Sequence, residues 1–139
     1  MTRREAREQA FCLVFEMDFQ NESMDDIVEA ARQCRDLVLD DYASQLAFNV
    51  AARRRELDEL IAPFSTKWKV DRLSHVSRAL LRMSIAEIDL HSKDVPVSVS
   101  INEAVELAKK YGGEDDAPFV NGVLGAYARS LPAEAAVEE

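Results

Sequence analysis

Basic side chains near the amino terminus are the residues of this sequence best suited to bind a charged ligand. Three arginines stand within the first seven residues: Arg3, Arg4 and Arg7. Guanidinium groups bind phosphates well, so such a cluster can form a basic face even on an acidic protein. The net charge of −9 argues in the opposite direction, because nucleic-acid binding normally shows as an excess of positive charge. An ordinary solvated helix end is the competing interpretation.

Catalytic and metal-binding chemistry finds no support in the spacing of the reactive residues. Cys12 and Cys34 lie far apart and form no metal-ligand pattern, which favours a pair of buried thiols in a reducing compartment. His75 and His91 each stand alone. Without a Cys/His cluster, a glycine-rich phosphate loop or a nucleophile motif, the sequence predicts a non-enzymatic protein with no catalytic residue, metal or cofactor.

The elements that would position these side chains are predicted to be helices. Apolar residues recur at intervals of three and four over residues 3–19, which is typical of an amphipathic helix. Capping residues that can start further helices stand at three places: Ser23, Asp40 or Asp41, and Ser74. The helix from Asp40 or Asp41 is predicted to be long and to end at Pro63, with Arg53 to Arg55 on its outer side.

The stretch FVNGVL, Phe119 to Leu124, raises the alternative of a hairpin, because Asn-Gly favours a two-residue turn. The preceding residues are helical in pattern: Ser100 and Glu103 form a capping box, and Gly112-Gly113 is expected to give a left-handed exit. A lone hairpin would lack a third strand, so we assign Asn-Gly to the first turns of a last helix. Glycine destabilises a helix relative to alanine, so its presence at position 122 indicates that a neighbouring group approaches closely there. The sequence therefore predicts an all-α fold.

Four blocks of the sequence, taken in order, resemble the NusB family of transcription antitermination and ribosomal RNA biogenesis factors. They are REAREQA near the start, LLRMSIAEI at 80–88, VPVSVSINEAVELAKKYG at 95–112 and FVNGVL at 119–124. The resemblance implies about seven helices in a single domain, 1–132, with helical subdomains of about 1–64 and 65–132. Residues 133–139 would form an acidic tail, expected to be disordered.

The resemblance also implies a function without catalysis. A NusB protein pairs with the ribosomal protein NusE, and the two bind the boxA element of nascent ribosomal RNA and support its transcription. They act on the RNA polymerase elongation complex with other Nus factors, in the cytoplasm and without a membrane. Whether this chain is a monomer or a homodimer stays open.

Matching the family position by position implies roles for particular residues. The resemblance implies that Arg3, Arg4 and Arg7 contact RNA. Glu5 and Glu8 interrupt this basic run. Phe119 would stack on an unpaired base, with core packing as its alternative role. Asp115 would border the RNA site and repel phosphate, with helix capping as its alternative. The surface for NusE would include Phe15, Ser77 and Arg78.

Two other classes of function remain open. A NusB-like domain also positions RNA in ribosomal RNA cytosine methyltransferases, but the chain is expected to stop before a catalytic domain, so only a fragment would fit. The other class is a helical protein-interaction or dimerisation module with little RNA binding, which the acidic net charge favours.

Overall fold

The protein is a bundle of α-helices, seen in a computed structural model that describes residues 1–132. Its seven α-helices follow in chain order: α1 Arg3–Gln20, α2 Met24–Arg35, α3 Asp41–Ala52, α4 Arg54–Ile61, α5 His75–His91, α6 Val97–Tyr111 and α7 Asp116–Arg129. Short 3₁₀ turns at Ala62–Phe64 and Val70–Arg72 lie between α4 and α5. The all-α prediction is confirmed, and the residues assigned to an acidic tail, 133–139, lie outside the described part.

Local capping signals account for most of the helix starts. The side chains of Ser23, Asp40 and Ser74 accept hydrogen bonds from the third backbone N–H of α2, α3 and α5, as predicted. The prediction of one long third helix is wrong, because the backbone at Arg53 leaves helical geometry with φ −110° and ψ 17°. Two helices, α3 and α4, replace it.

The predicted capping box at Ser100 is also wrong. α6 begins three residues earlier at Val97, because Pro96 has extended backbone and its carbonyl already accepts the N–H of Val99 and of Ser100. Ser100 lies inside the helix, and its Oγ has no hydrogen-bond partner among residues 1–132. Glu103 is free to reach another helix. Among the described residues, a capping box is formed by Thr2 and Glu5, before α1.

Gly112 ends α6 for a reason other than the predicted left-handed exit. Its φ is −100°, and none of the glycines in the described residues has positive φ. A Cβ at Gly112 would lie 2.8 Å from the carbonyl oxygen of Ala108 and 2.6 Å from a carboxylate oxygen of Asp116. Close approach of the chain therefore requires the glycine here.

The FVNGVL stretch is helical, since Asn121 and Gly122 lie inside α7. The close neighbour expected at Gly122 is absent from the described residues, because a Cβ built there meets nothing within 4 Å. The expectation of two buried cysteines is wrong as well. Cys12 is half-buried, but Cys34 is exposed one turn beyond Ala31, the last buried residue of α2.

α5 lies at the centre of the molecule and is buried on every side from Ser77 to Ile88. It packs against α1, α3 and α4 and also against α6 and α7. The proposed division into two helical subdomains remains a prediction. A helix buried all round is usually apolar, but this one carries two arginines and a glutamate. Each needs a partner of opposite charge. No helix in the described part is long and apolar enough to span a bilayer.

Candidate nucleic-acid and partner interface

The start of α1 presents Arg3 and Arg4 to solvent. The hydroxyl of Thr2 accepts the N–H of Glu5 at 3.1 Å, and Glu5 accepts the N–H of Thr2 at 2.8 Å. Glu5 is thus part of the helix cap rather than a free charge inside the basic cluster. The guanidinium of Arg3 lies 3.9 Å from the centre of the Tyr42 ring, which orients it without neutralising it.

Arg4 forms an ion pair with α6. Its Nε and Nη2 donate to the two carboxylate oxygens of Glu103 at 3.1 and 2.8 Å, while its side chain stays 74% exposed. The hydrogen bond from Arg4 lowers the pKa of Glu103 against the opposing effect of burial. A phosphate that binds Arg4 must therefore compete with Glu103.

Arg7 is buried, so the expectation that it is an exposed arginine is wrong. Its Nε donates to Glu87 of α5 at 2.8 Å, and its Nη1 lies 3.4 Å from Glu103. The Tyr42 hydroxyl also donates to Glu87, and burial followed by this hydrogen bond raises the pKa of Tyr42. Arg7 thus stabilises the junction of α1, α3, α5 and α6. Its contact with RNA remains a prediction, which would require this junction to open.

A groove of about 520 Å³ between α1 and α6 adds two lysines to the arginine-bearing surface. Lys110 pairs with Glu8 of α1 at 2.5 Å, and Lys109 lies 3.8 Å from Glu106 on its own helix. Sequence reasoning did not include these lysines. The groove mixes both signs of charge, which explains how an acidic protein can still present cations on one face.

The start of α7 separates the roles of two neighbouring aspartates. Asp116 accepts hydrogen bonds from the hydroxyls of Ser74 and Ser77, each at 2.6 Å, and from the N–H of Gly113 at 2.8 Å. Asp115 is exposed and makes no side-chain capping bond. Its alternative role as a cap is therefore wrong. Phe119 is half-buried against the core and also lines an open cleft.

The predicted partner surface divides into a buried and an exposed part. Ser77 and Arg78 are buried, at 1% and 9% exposure. Phe15 is half-buried, and its ring lies 6.0 Å from that of Phe19 and 6.2 Å from that of His75. Phe19 is 64% exposed. Arg78 lies 3.2 Å from the Nδ1 of His75, whereas the Ser77 hydroxyl donates to Asp116. The role of these two buried residues in partner binding remains a prediction.

Asp18 joins this aromatic patch, Phe15, Phe19 and His75, to the centre of the bundle. Its carboxylate accepts from Arg78 at 2.7 Å and Arg82 at 3.2 Å, and it lies 2.6 Å from the Nδ1 of His75. Burial alone would raise the pKa of Asp18. The hydrogen bonds from Arg78 and His75 and the charges of the two arginines outweigh burial and lower this pKa to about 2.

Sequence reasoning missed Phe19 and His75, although one signal was available. Phe11, Phe15 and Phe19 follow each other at four-residue spacing, which predicts an aromatic line along α1. Its last member extends beyond the core and remains exposed. No pattern in the sequence brings His75 to this line, because the two segments meet only through tertiary packing.

Comparison with known proteins gives matches along nearly the whole chain. Residues 4–129 match the model of the NusB family. The transcription antitermination protein NusB of Bacillus velezensis is 40% identical over 124 residues, covering 89% of this chain and 93% of that protein. Among solved structures, T. maritima NusB superposes with a TM-score of 0.82 at 33% identity, covering 97% and 96% of the two chains.

A further solved structure contains both a protein partner and RNA. It is a crystal structure of the antitermination factors NusB and NusE in complex with double-stranded RNA. The matching chain has a TM-score of 0.79 and 28% identity to the present chain, with coverage of 94% and 100%. The similarity thus extends to a protein seen in a ternary assembly.

Proposed function

Because this chain belongs to the NusB family, we propose that it binds the boxA element of nascent ribosomal RNA together with NusE and so supports ribosomal RNA transcription. Proteins of this family are non-enzymatic antitermination factors. The similarity over residues 4–129 carries the proposal, since it includes Arg4 and Arg7 of α1 and Phe119 of α7. The chain would act in the cytoplasm on the RNA polymerase elongation complex with other Nus factors.

In the proposed RNA site, Arg3 and Arg4 contact phosphates, Phe119 stacks on an unpaired base and Asp115 repels phosphate at the edge. The exposure of the two arginines and of Asp115 supports this arrangement. In the proposed NusE site, Phe19 and His75 touch the partner and Phe15 supports them from below. Arg7, Ser77 and Arg78 hold these two surfaces on the bundle.

We expect the chain alone to bind boxA RNA weakly, because Glu103 competes for Arg4 and Asp115 repels phosphate. Addition of NusE should raise the affinity at least about tenfold, some 1.4 kcal/mol of coupling. Fluorescence anisotropy of dye-labelled boxA RNA, with and without NusE, measures both states.

Salt dependence shows whether the arginines of α1 contribute. Each phosphate contact on a single strand changes the slope of log affinity against log salt by roughly 0.7, so Arg4→Ala should make the slope shallower by about that amount. Arg32→Ala, an exposed arginine on α2, is the matched control and should leave the slope unchanged. No RNA binding in the presence of NusE would instead favour a protein-interaction module.

Phe19→Asp should weaken the complex with NusE at least about tenfold, because it places a charge in the centre of an apolar contact. The helices should stay intact, since Phe19 is 64% exposed. Val38→Asp, at 83% exposure between α2 and α3, makes the same kind of change elsewhere and should have no effect. Calorimetry and circular dichroism test both variants, and equal NusE affinity for all three proteins would refute the proposed surface.

A further inference from the structure

Residues 66–72, between α4 and α5, concentrate positive charge around an exposed aromatic ring. Three cations stand there, Lys67, Lys69 and Arg72, against the single carboxylate of Asp71. None of the three cations has an acidic partner within 4.0 Å among residues 1–132. Trp68, the sole tryptophan of the chain, is 57% exposed. In a protein of net charge −9, this is a local reversal of charge.

The exposure of Trp68 comes from a backbone that is held in place. The buried hydroxyl of Ser65 donates to the carbonyl of Trp68 at 2.6 Å. The carbonyl of Val70, two residues on, accepts from the guanidinium of Arg78 at 3.0 Å. The first bond closes a turn within the segment, and the second ties the segment to α5. The tryptophan is thus presented to solvent by fixed structure, which lowers the entropy that a ligand must remove on binding.

Trp68 and Phe119 line the same open cleft of about 490 Å³, although they come from different elements. Lys67 and Arg72 line it as well, and so do Asp115 and Asp116. The carboxylate of Asp116 is already occupied by Ser74, Ser77 and Gly113. The cleft therefore combines two aromatic side chains, one exposed carboxylate and two cations that form no ion pair within residues 1–132.

We propose that this cleft binds one unpaired base of single-stranded RNA, with the base stacked on Trp68 beside Phe119 and the adjoining phosphates on Lys67 and Arg72. The inference rests on the proposed RNA-binding function and extends that site from Phe119 across to the segment before α5. Asp115 determines on which side of the cleft the RNA backbone lies, because it repels phosphate from the α7 side. The RNA backbone then follows the side that carries Lys67 and Arg72.

The chemistry favours single-stranded RNA over a protein segment. Every base offers a face for stacking, and exposed aromatics interleaved with cations are the arrangement that binds single strands without regard to sequence. A docking site for a protein would instead bury a continuous apolar centre with few charges. Here two cations stand beside the rings, with an exposed carboxylate at the edge.

Trp68 provides its own spectroscopic reporter, because it is the sole tryptophan of this chain, and the complex of Trp68→Phe with NusE gives the background emission. Binding of unlabelled single-stranded boxA RNA to the complex with NusE should quench tryptophan emission, and the signal should saturate at the same RNA concentration as the anisotropy of labelled RNA. Trp68→Ala should weaken RNA binding by roughly 5- to 150-fold, the equivalent of ~1–3 kcal/mol for one stacked base. Trp68→Phe should keep most of the affinity.

A charge-matched pair of variants tests the cations. Lys67→Ala should make the salt slope shallower by about 0.7, while Lys93→Ala should not. Lys93 is exposed beyond the carboxyl end of α5, and the cleft lies at its amino end, roughly 25 Å away along a helix of 17 residues. Circular dichroism of Trp68→Ala checks the fold, and Trp68→Phe covers the case in which the alanine variant does not fold.

The outcomes separate this inference from the proposed function. If RNA binds with an affinity and a salt slope that do not change in Trp68→Ala and Lys67→Ala, and without quenching of the tryptophan emission, the cleft is not an RNA site. In that case the proposed function is unaffected. If Trp68→Ala impairs NusE binding and leaves RNA affinity alone, the cleft docks a protein and the inference is wrong. Absence of RNA binding in every variant, with and without NusE, overturns both.

Discussion

Arg7→Ala should destabilise the protein by about 3–5 kcal/mol, the cost of removing one partner from a buried ion pair. The side chains of Arg7 and Glu87 are only 6% and 3% exposed. Loss of the guanidinium leaves the Glu87 carboxylate buried without its cation, because the Tyr42 hydroxyl cannot replace a charge. Urea unfolding followed by circular dichroism measures the change.

Arg4→Ala is the matched control for this prediction. It removes the same side chain one turn earlier and also breaks a pair with a glutamate, but the Arg4 side chain is 74% exposed. A surface pair of this kind contributes at most about 1 kcal/mol. In the double variant Arg7→Ala/Glu87→Gln, part of the loss should be recovered, since no carboxylate is left unpaired. Equal destabilisation by Arg7→Ala and Arg4→Ala would mean that the buried pair has no special role.

Asp18→Asn should cost about 3–5 kcal/mol at neutral pH and much less in acid. The pKa of Asp18 is lowered to about 2 in the folded protein, against about 3.9 in an unfolded chain. A group with a depressed folded pKa stabilises the protein fully above the unfolded value and loses that contribution as pH falls through the folded value. The stability difference between wild type and Asp18→Asn should therefore shrink between about pH 4 and pH 2.

Measuring this difference at each pH removes the effect of the other carboxylates, which titrate in both proteins. Asp94→Asn, an exposed aspartate after α5, serves as control and should change stability by less than about 0.5 kcal/mol at any pH. A difference between wild type and Asp18→Asn that stays constant from pH 5 to pH 2 would contradict the role given to the Asp18 carboxylate.

The features that sequence predicted well depend on residues close together in the chain. Ser23, Asp40 and Ser74 cap helices because each bonds a backbone N–H three residues away. The predicted start of α6 is wrong because two local signals for a helix start compete there. The helix already begins after Pro96, so Ser100 and Glu103 lie inside it and do not cap it.

The features that sequence could not predict depend on distant partners. Arg7 is buried against Glu87 and Glu103. These partners stand 80 and 96 positions further along the chain, so the sequence around Arg7 does not show them. The spacing of Arg7 by three and seven residues from Ala10 and Val14 places it on the buried face of α1, but this spacing does not identify its acidic partners. Trp68 is a similar case, since its cleft exists only where the segment before α5 meets the start of α7. Residue type indicated the chemistry, but the packing of α5 decides which side chains are available for it.

The central position of α5 has a consequence for the protein's motions. Its residues from Ser77 to Ile88 are covered by five other helices. We therefore expect hydrogen–deuterium exchange of their backbone amides to proceed mainly through unfolding of the whole molecule. The slowest amides of α5 thus report the global free energy of unfolding directly. The amides of residues 66–69, which are exposed to solvent, should exchange much faster.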